Sequence, residues 1–150
     1  MADRELFTHQ LEKYDRSDWF SFKPHESLEI KCNAPTNYSG VYMIYSYRNN
    51  FEELIYIGSS GQMRNGVLTT RQSGLGGMKD RLVNGYHPKF GEIRRKKAFP
   101  EHMKQEGITQ INIYWWVTWD ETNKDVPTEI EGLLKNIYFT KHRRHPIWHK

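Results

Sequence analysis

Three stretches of the chain have patterns of apolar residues that are typical of β-strands. Residues 40–46 and 53–58 are rich in β-branched and aromatic side chains, which favour strands. Turn-forming residues fill the link between them, residues 47–51, so the pair predicts a β-hairpin. In residues 110–119 the side chains at 111, 113, 115 and 117 alternate with those at 112, 114, 116 and 118, a period of two that predicts a third strand.

Apolar residues at helical spacing predict several helices around these strands. The helical segments are residues 3–16, residues 75–84, a segment that begins at Pro88 and includes the basic run 94–97, a further turn or two over 100–105, and residues 128–142. Residues 28–31 predict a short strand, and residues 59–77 form a flexible stretch rich in Gly, Ser and Thr. Helices and strands follow one another without an internal repeat, which predicts a small α+β domain.

The composition of the chain limits the classes of protein that it can belong to and the cellular compartment in which we expect it. The chain has 150 residues, the size of one domain, and its net charge of +4 permits a polyanionic partner without requiring one. No apolar run approaches the roughly 20 residues of a membrane-spanning helix, and the charged N-terminus is not followed by an apolar signal segment. The single cysteine, Cys32, excludes an internal disulfide and multi-cysteine zinc sites. We therefore expect a cytoplasmic protein with no membrane partner.

Five short sequence features follow one another in an order that indicates a catalytic site. They are Gly40-Val41-Tyr42, Tyr56-Ile57-Gly58, Arg81 on a predicted short helix, Glu131 near the start of the last helix, and Pro146-Ile147-Trp148-His149. In this order the chain resembles the GIY-YIG nuclease family over residues 39–149. The two tripeptides alone are weak evidence, whereas the full order is much more specific.

The resemblance implies a fold and a reaction. It implies a small three-stranded, mixed or antiparallel sheet flanked by helices, formed by residues 39–150. Residues 1–38 would then be an N-terminal helix and extension that packs on this domain. The implied reaction is hydrolysis of DNA phosphodiester bonds with one divalent metal ion, Mg²⁺, for which Mn²⁺ can substitute.

The resemblance also assigns roles to particular side chains. Tyr42 and Tyr56 would line the scissile phosphate, and either tyrosine could deprotonate the attacking water. Arg81 would hold the phosphate, and Glu131 would bind the metal ion. His149 occupies the position of the family's asparagine, which supports the site.

These residue types suit phosphodiester hydrolysis on physical grounds. Mg²⁺ keeps most of its waters and can be held by one carboxylate together with substrate phosphate, so a lone glutamate suffices. A guanidinium matches phosphate geometry through two parallel hydrogen bonds. A tyrosine can relay a proton when a nearby cation lowers its pKa from about 10. On adjacent antiparallel strands, Tyr42 and Tyr56 can lie side by side across the ladder.

Contacts with DNA are expected from the stretch after the second tripeptide and from two basic runs. The expected DNA-binding residues are Gly58, Arg64, Arg71, His87, Arg94, Arg95, Lys96, Lys97 and Arg143. Arg64 and Arg71 also compete with Arg81 as the phosphate clamp. Arg81 is preferred, because a helix holds a side chain more rigidly than a flexible stretch does.

Glu131 has an alternative role that needs no metal. Thr128 and Glu131 fit a capping box, in which the glutamate folds back onto the start of its own helix. Glu129 is then the alternative metal ligand. The position of Glu131 relative to residues 146–149 favours the metal-binding role.

The chain departs from the family pattern at several positions. The gap between Gly58 and Arg81 is longer than in compact members and is more similar to the restriction enzymes of the family. Gly85 stands where those enzymes often carry a histidine, and His87 follows two residues later. Ser59 stands where some members carry a lysine.

The function expected from the sequence is a magnesium-dependent DNA endonuclease, of a bacterial or phage restriction-like or stand-alone type. Target recognition would come from the segment after Gly58, from the N-terminal helix or from the interface of a homodimer. One alternative is a non-catalytic nucleic-acid-binding module, which the replacement of asparagine by His149 favours. The other is a structural or inhibitor protein that uses its tryptophan-rich strand as a protein interface.

Overall fold

Four antiparallel strands form the main sheet of the computed structural model, which describes residues 2–72 and 74–149. In chain order the strands are β1 (Ser17–Phe22), β2 (Ser39–Arg48), β3 (Phe51–Ser60), β4 (Gln62–Arg64), β5 (Val67–Thr69) and β6 (Ile111–Trp119). The main sheet has the order β1-β6-β2-β3, while β4 and β5 pair separately as a small hairpin. The predicted α+β class is confirmed, but the sheet has four strands rather than three.

Six helices accompany the strands in the described residues. They are α1 (Ala2–Glu5), α2 (Thr8–Leu11), α3 (Leu28–Lys31), α4 (Gly77–Asn84), α5 (Arg95–Glu106) and α6 (Pro127–His142). The helices predicted over residues 75–84 and 128–142 are confirmed by α4 and α6. Among these helices, none combines the length and the apolar composition needed to cross a lipid bilayer.

The predicted hairpin is confirmed as β2 and β3, but its turn is shorter than the predicted link over residues 47–51. Arg48 pairs with Phe51, so the turn consists of Asn49 and Asn50 alone. Both residues have positive φ, +52° and +62°, as a type I′ turn requires and as asparagine tolerates. The third predicted strand is confirmed as β6, which pairs with β2 on the side away from β3.

Strand β1 was not predicted, because its short alternation lies in a polar segment. Phe20 and Phe22 point into the core, while Trp19 on the opposite face is half exposed. The strand pairs along its whole length with β6, from Ser17 opposite Trp116 to Phe22 opposite Ile111. The N-terminal segment therefore contributes an edge strand to the main sheet.

Three local predictions were wrong. The single helix over residues 3–16 is replaced by the one-turn helices α1 and α2, and Phe7 between them and Leu11 in α2 pack against the sheet. Residues 28–31 form helix α3 instead of a strand, because the Ser27 hydroxyl accepts a hydrogen bond from the Ile30 amide at its start. The helix predicted to begin at Pro88 begins at residue 95.

A closed loop precedes α5 and explains its late start. The amides of Lys89 and Phe90 donate to the ring nitrogen Nδ1 and the carbonyl of His87, which folds the chain into a turn after Pro88. Tyr86 forms a β-bridge with Arg94, so the loop returns to its origin before the helix begins. The predicted continuation over residues 100–105 belongs to this same helix.

A β-bulge in β3 brings the two motif tyrosines to one face of the sheet. Tyr42 lies opposite Gly58 and Ile44 lies opposite Tyr56, whereas Ile55 has no partner on β2. Tyr42 and Tyr56 are thus diagonal rather than direct neighbours, and their ring centroids are 6.2 Å apart. Both rings belong to the core layer between the sheet and α4 and α5.

The C-terminal segment covers the free edge of β3. The Trp148 amide donates to the Ile55 carbonyl at 2.9 Å, and the Ile57 amide donates to Nε2 of His149 at 3.0 Å. These bonds satisfy polar groups of the edge strand that would otherwise be available to another chain. They also fix His149 beside Tyr56.

Replacing Gly58 by alanine tests the close packing under the motif. A Cβ at Gly58 would lie 2.5–2.7 Å from the Tyr42 ring, which is fully buried and cannot move aside freely. We expect Gly58→Ala to lower the free energy of unfolding by about 1–3 kcal/mol. Gly132→Ala is the matched control, since its Cβ would meet nothing within 4 Å on helix α6 and should raise that energy by up to about 1 kcal/mol. Equal effects of both variants in urea unfolding would contradict this packing.

Candidate active site

A cleft of about 720 Å³ opens where β3 ends at Ser60. Four of the residues predicted to be catalytic line it: Tyr56, Arg81, Glu131 and His149. They come from β3, α4, α6 and the C-terminal segment, so the fold brings together residues that are up to 93 positions apart in the chain, from Tyr56 to His149. Tyr42, the fifth predicted residue, is not part of the lining.

Tyr56 forms the floor of the cleft. Its ring stacks on His149, with centroids 4.5 Å apart, and tilts against His87 at 4.3 Å. The side chain is 5% exposed. Burial, and next the neighbouring Tyr42, raise the pKa of Tyr56, while the positive charge of Arg95 opposes this shift. The phenol form is therefore favoured in the free protein.

Tyr42 lies one layer below the floor, which corrects the expectation that it lines the scissile phosphate. The residue has no exposed surface and packs beneath Gly58. Its hydroxyl accepts a hydrogen bond from Nη1 of Arg95 at 2.5 Å. Gly58 is itself buried, so its predicted contact with DNA is also not supported. Tyr42 and Gly58 therefore lie beneath the floor of the cleft and support it.

Arg95 is a site residue whose role the sequence did not reveal. It was expected on an exposed basic surface, but it is fully buried, with its guanidinium 5.4 Å and 5.7 Å from the ring centroids of Tyr42 and Tyr56. Nε and Nη2 have no hydrogen-bond partner among the described residues. The burial of Arg95 therefore does not support the predicted direct contact with DNA. Its spacing to Ala98 and Phe99, which are also buried, was the available signal for an inward-facing position.

His87 is likewise buried, which does not support its predicted contact with DNA. Its ring is fully covered and stacks on Phe90 with centroids 4.3 Å apart. Burial, and next the charge of Arg95, lower the pKa of His87 to about 2, so the ring is neutral. Since Nδ1 accepts from the Lys89 amide, the proton of the neutral ring lies on Nε2.

Glu131 does not form the capping box that the sequence allows. Helix α6 begins with Pro127, its N-cap is Val126, and no side chain caps it. Instead, the Glu131 carboxylate accepts a hydrogen bond from the Ser59 hydroxyl and pairs with Lys135 one helical turn later. The carboxylate therefore faces the cleft and the end of β3.

Three arginines that compete for the phosphate-clamp role occupy different surroundings. Arg71 lines the cleft but forms an ion pair with Asp80 at 2.9 Å. Burial alone would raise the pKa of Asp80, but hydrogen bonds from Asn84 and Arg71 lower it, so the pair stays charged. Arg64 lies on the exposed hairpin. Arg81 lines the cleft without an ion pair among the described residues, and its buried Nε has no partner there, which makes it the cation most available to a phosphate.

The donors of the cleft fit a divalent ion that arrives together with a phosphate. Glu131 is the carboxylate of the cleft lining, and the described residues hold no group of three or more metal-ligating side chains. Mg²⁺ needs few protein ligands, because water and substrate phosphate complete its shell. Lys135 would compete with the ion for Glu131, so we expect weak binding of Mg²⁺ in the absence of a phosphate ligand.

The remaining predicted DNA contacts lie on the surface outside the cleft. Arg94, Lys96 and Lys97 are exposed at the start of α5. Arg94 donates to the Asn84 carbonyl at 2.8 Å, which leaves the two lysines as the freer charges. Arg143 is exposed at the end of α6, where it has a left-handed backbone conformation.

Comparison of the chain with protein-family models, with curated proteins and with solved structures finds no match in any of the three. The chemistry of the site therefore has to be inferred from its own residues.

Acidification tests the neutral state of His149. Its Nε2 accepts the Ile57 amide, and burial, followed by Lys135, lowers its pKa to about 4. Between the ordinary histidine pKa of about 6.5 and this value, the unfolded chain binds more protons than the folded one, so stability should fall as pH decreases through this window. His149→Asn, whose amide oxygen can accept the same bond, should reduce this dependence. His25→Asn, at an exposed position, should leave it unchanged. Urea midpoints from pH 7 to 4 that fall equally for all three proteins would contradict a buried neutral His149.

Proposed function

We propose that the chain is a magnesium-dependent endonuclease that hydrolyses phosphodiester bonds of DNA. One observation carries the proposal: Tyr56, Arg81, Glu131 and His149 meet in one cleft, and they are four of the five residues to which the resemblance to GIY-YIG nucleases assigns a role. The cleft lining contains more cationic than anionic side chains, with Arg71, Arg81 and Lys135 around Glu131, which suits a phosphate.

Each residue of the cleft has a role in this reaction that its surroundings permit. Arg81 would bind two oxygens of the scissile phosphate, because its guanidinium has no ion pair among the described residues. Glu131 would hold the metal ion, which would stabilise the charge that develops on the phosphate. His149, neutral and bonded to the Ile57 amide, would keep the Tyr56 ring in place from one side.

Tyr56 is the tyrosine that can contact the attacking water. As a phenol, it can orient the water through its hydroxyl group, and as a phenolate it can accept the proton of the water. Burial favours the phenol, whereas the charge of Arg95 beneath the ring favours the phenolate. The rate should therefore rise with pH above neutrality, since the fraction of phenolate rises.

A non-catalytic nucleic-acid-binding module is the second candidate. The ion pair of Glu131 with Lys135 favours it, because an ammonium group already neutralises the carboxylate that a metal ion would need. Such a module would bind DNA in the same cleft but would leave it intact. Cleavage assays with and without Mg²⁺ therefore separate the two functions.

Glu131→Gln tests the metal-binding role, with Glu129→Gln as its control. Glutamine can still accept the Ser59 hydrogen bond but loses the charge that Mg²⁺ requires. We expect cleavage of supercoiled plasmid to fall by two or more orders of magnitude, with stability within about 1 kcal/mol of the wild type and DNA binding retained. Glu129 is exposed on the same helix, so its variant should cleave normally. The opposite order of the two rates would transfer the metal-binding role to Glu129.

The basic start of α5 should contribute to the salt dependence of DNA binding. Removing one lysine that neutralises a phosphate should reduce the slope of log affinity against log salt by about 0.9. We expect Lys96→Ala with Lys97→Ala to reduce the slope by up to about 2. Lys104→Ala, exposed near the other end of the same helix, should leave it unchanged. An unchanged slope in the double variant, measured by fluorescence anisotropy, would remove this surface from the DNA interface.

A further inference from the structure

The hairpin of β4 and β5 rises from the rim of the cleft. Its base residues, Gln62 and Thr69, line the cleft, and every residue from 62 to 67 is exposed. Two apolar side chains of this hairpin face solvent, with Met63 37% and Val67 66% exposed. The hairpin therefore extends the wall of the cleft outward with side chains that the core does not use.

The base of the hairpin is fixed to the main sheet. The Ser39 and Thr70 hydroxyl groups are hydrogen-bonded at 2.8 Å. Gly61 turns the chain with a φ of +97°, and a Cβ there would lie 2.6 Å from the Ser39 hydroxyl oxygen. At the tip, Asn65 and Gly66 have positive φ, as in a type I′ turn. The fold thus presents a defined two-stranded ribbon.

The side chains of this segment are of types that can recognise base edges in DNA. Residues 54–79 contain no Asp or Glu, while they contain Arg64, Lys79 and Arg71, the last of which pairs with Asp80. Arg64 is exposed, and its guanidinium donates a 3.3 Å hydrogen bond to the side chain of Gln62. Arginine recognises guanine edges, Gln and Asn recognise adenine, and apolar groups contact the thymine methyl. A two-stranded β-ribbon also fits the major groove of B-form DNA.

We propose that the β4–β5 hairpin enters the major groove of double-stranded DNA and determines the base sequence at which the protein acts. This inference rests on the proposed function and names the element that selects its target. Because Gln62 and Thr69 belong to both the hairpin and the cleft, the bases read by the tip lie next to the scissile phosphate. Arg64 is the principal reading side chain, and Met63 and Val67 provide the apolar contacts.

The test compares two hairpins of the same protein. Arg64→Ala removes the reading side chain at the tip of β4–β5, and Arg48→Ala is the control at the tip of β2–β3. Arg48 is exposed beside an Asn-Asn turn and the half-exposed Phe51, at the end of the strands opposite the cleft. Both variants lose one exposed positive charge, so an effect that depends on the net charge alone should be equal in the two.

A library of random duplex DNA, cut in the presence of Mg²⁺ and sequenced at the new ends, gives the readout. We expect the wild type and Arg48→Ala to share a base preference beside the cut. Arg64→Ala should lose discrimination at one position by about 10- to 100-fold while it still cleaves. The inference would be overturned if Arg64→Ala and the wild type had identical base preferences. It would also be overturned if the wild type cleaved without any base preference. In both cases the proposed nuclease function would stand.

If the wild type cuts nothing, the nuclease function fails, and selection of bound duplexes from the same library decides the inference. Enrichment of a sequence by the wild type and Arg48→Ala, but not by Arg64→Ala, supports a reading hairpin. Retention of single-stranded RNA in place of duplex DNA, or no enrichment at all, overturns it.

Discussion

The guanidinium of Arg95, buried beneath two tyrosines, is the constraint on which the candidate site depends. Arginine does not give up its proton in a protein, and an unpaired buried charge costs several kcal/mol. The chain compensates with the Tyr42 hydroxyl and the faces of three aromatic rings, those of Tyr42, Tyr56 and Phe99. The backbone of Arg95 also donates to the Gly85 carbonyl at the end of α4. One residue thereby ties α5 to α4 and to the sheet under the cleft.

The hydrophobic pattern of the sequence predicted three of the four strands of the main sheet. β2, β3 and β6 each have at least nine residues, and their content of β-branched and aromatic side chains favours strands. Residues 28–31 are too few for a period to distinguish a strand from a helical turn. The Asn65-Gly66 turn signal of the β4–β5 hairpin was present in the sequence but lay within a segment whose composition suggested a flexible stretch.

The order of the motifs predicted which side chains lie near one another at the cleft, but it did not predict how deeply each side chain is buried. Tyr42 and Tyr56 look equivalent in sequence, yet the bulge at Ile55 and the absence of a side chain at Gly58 place Tyr42 below the surface. A capping box at Thr128 fits the sequence, but Pro127 is the first helical residue, which frees Glu131 for the cleft. Arg95 belongs to a basic run, and its charge predicted an exposed side chain. Its helical spacing to the buried Ala98 and Phe99 was the signal for a buried position.

The proposed reaction at the floor of the cleft is tested most directly by Tyr56→Phe, which removes one hydroxyl group and keeps the stacking on His149. The measurement is the single-turnover rate of supercoiled plasmid cleavage with Mg²⁺, next to the thermal midpoint and the DNA affinity of the same protein. We expect the wild type to cleave and Tyr56→Phe to be slower by on the order of 10²–10⁴, with the midpoint and the affinity unchanged. A folded Tyr56→Phe protein that cleaves at the wild-type rate, or a wild type that binds DNA and leaves it supercoiled, would contradict this account of the cleft.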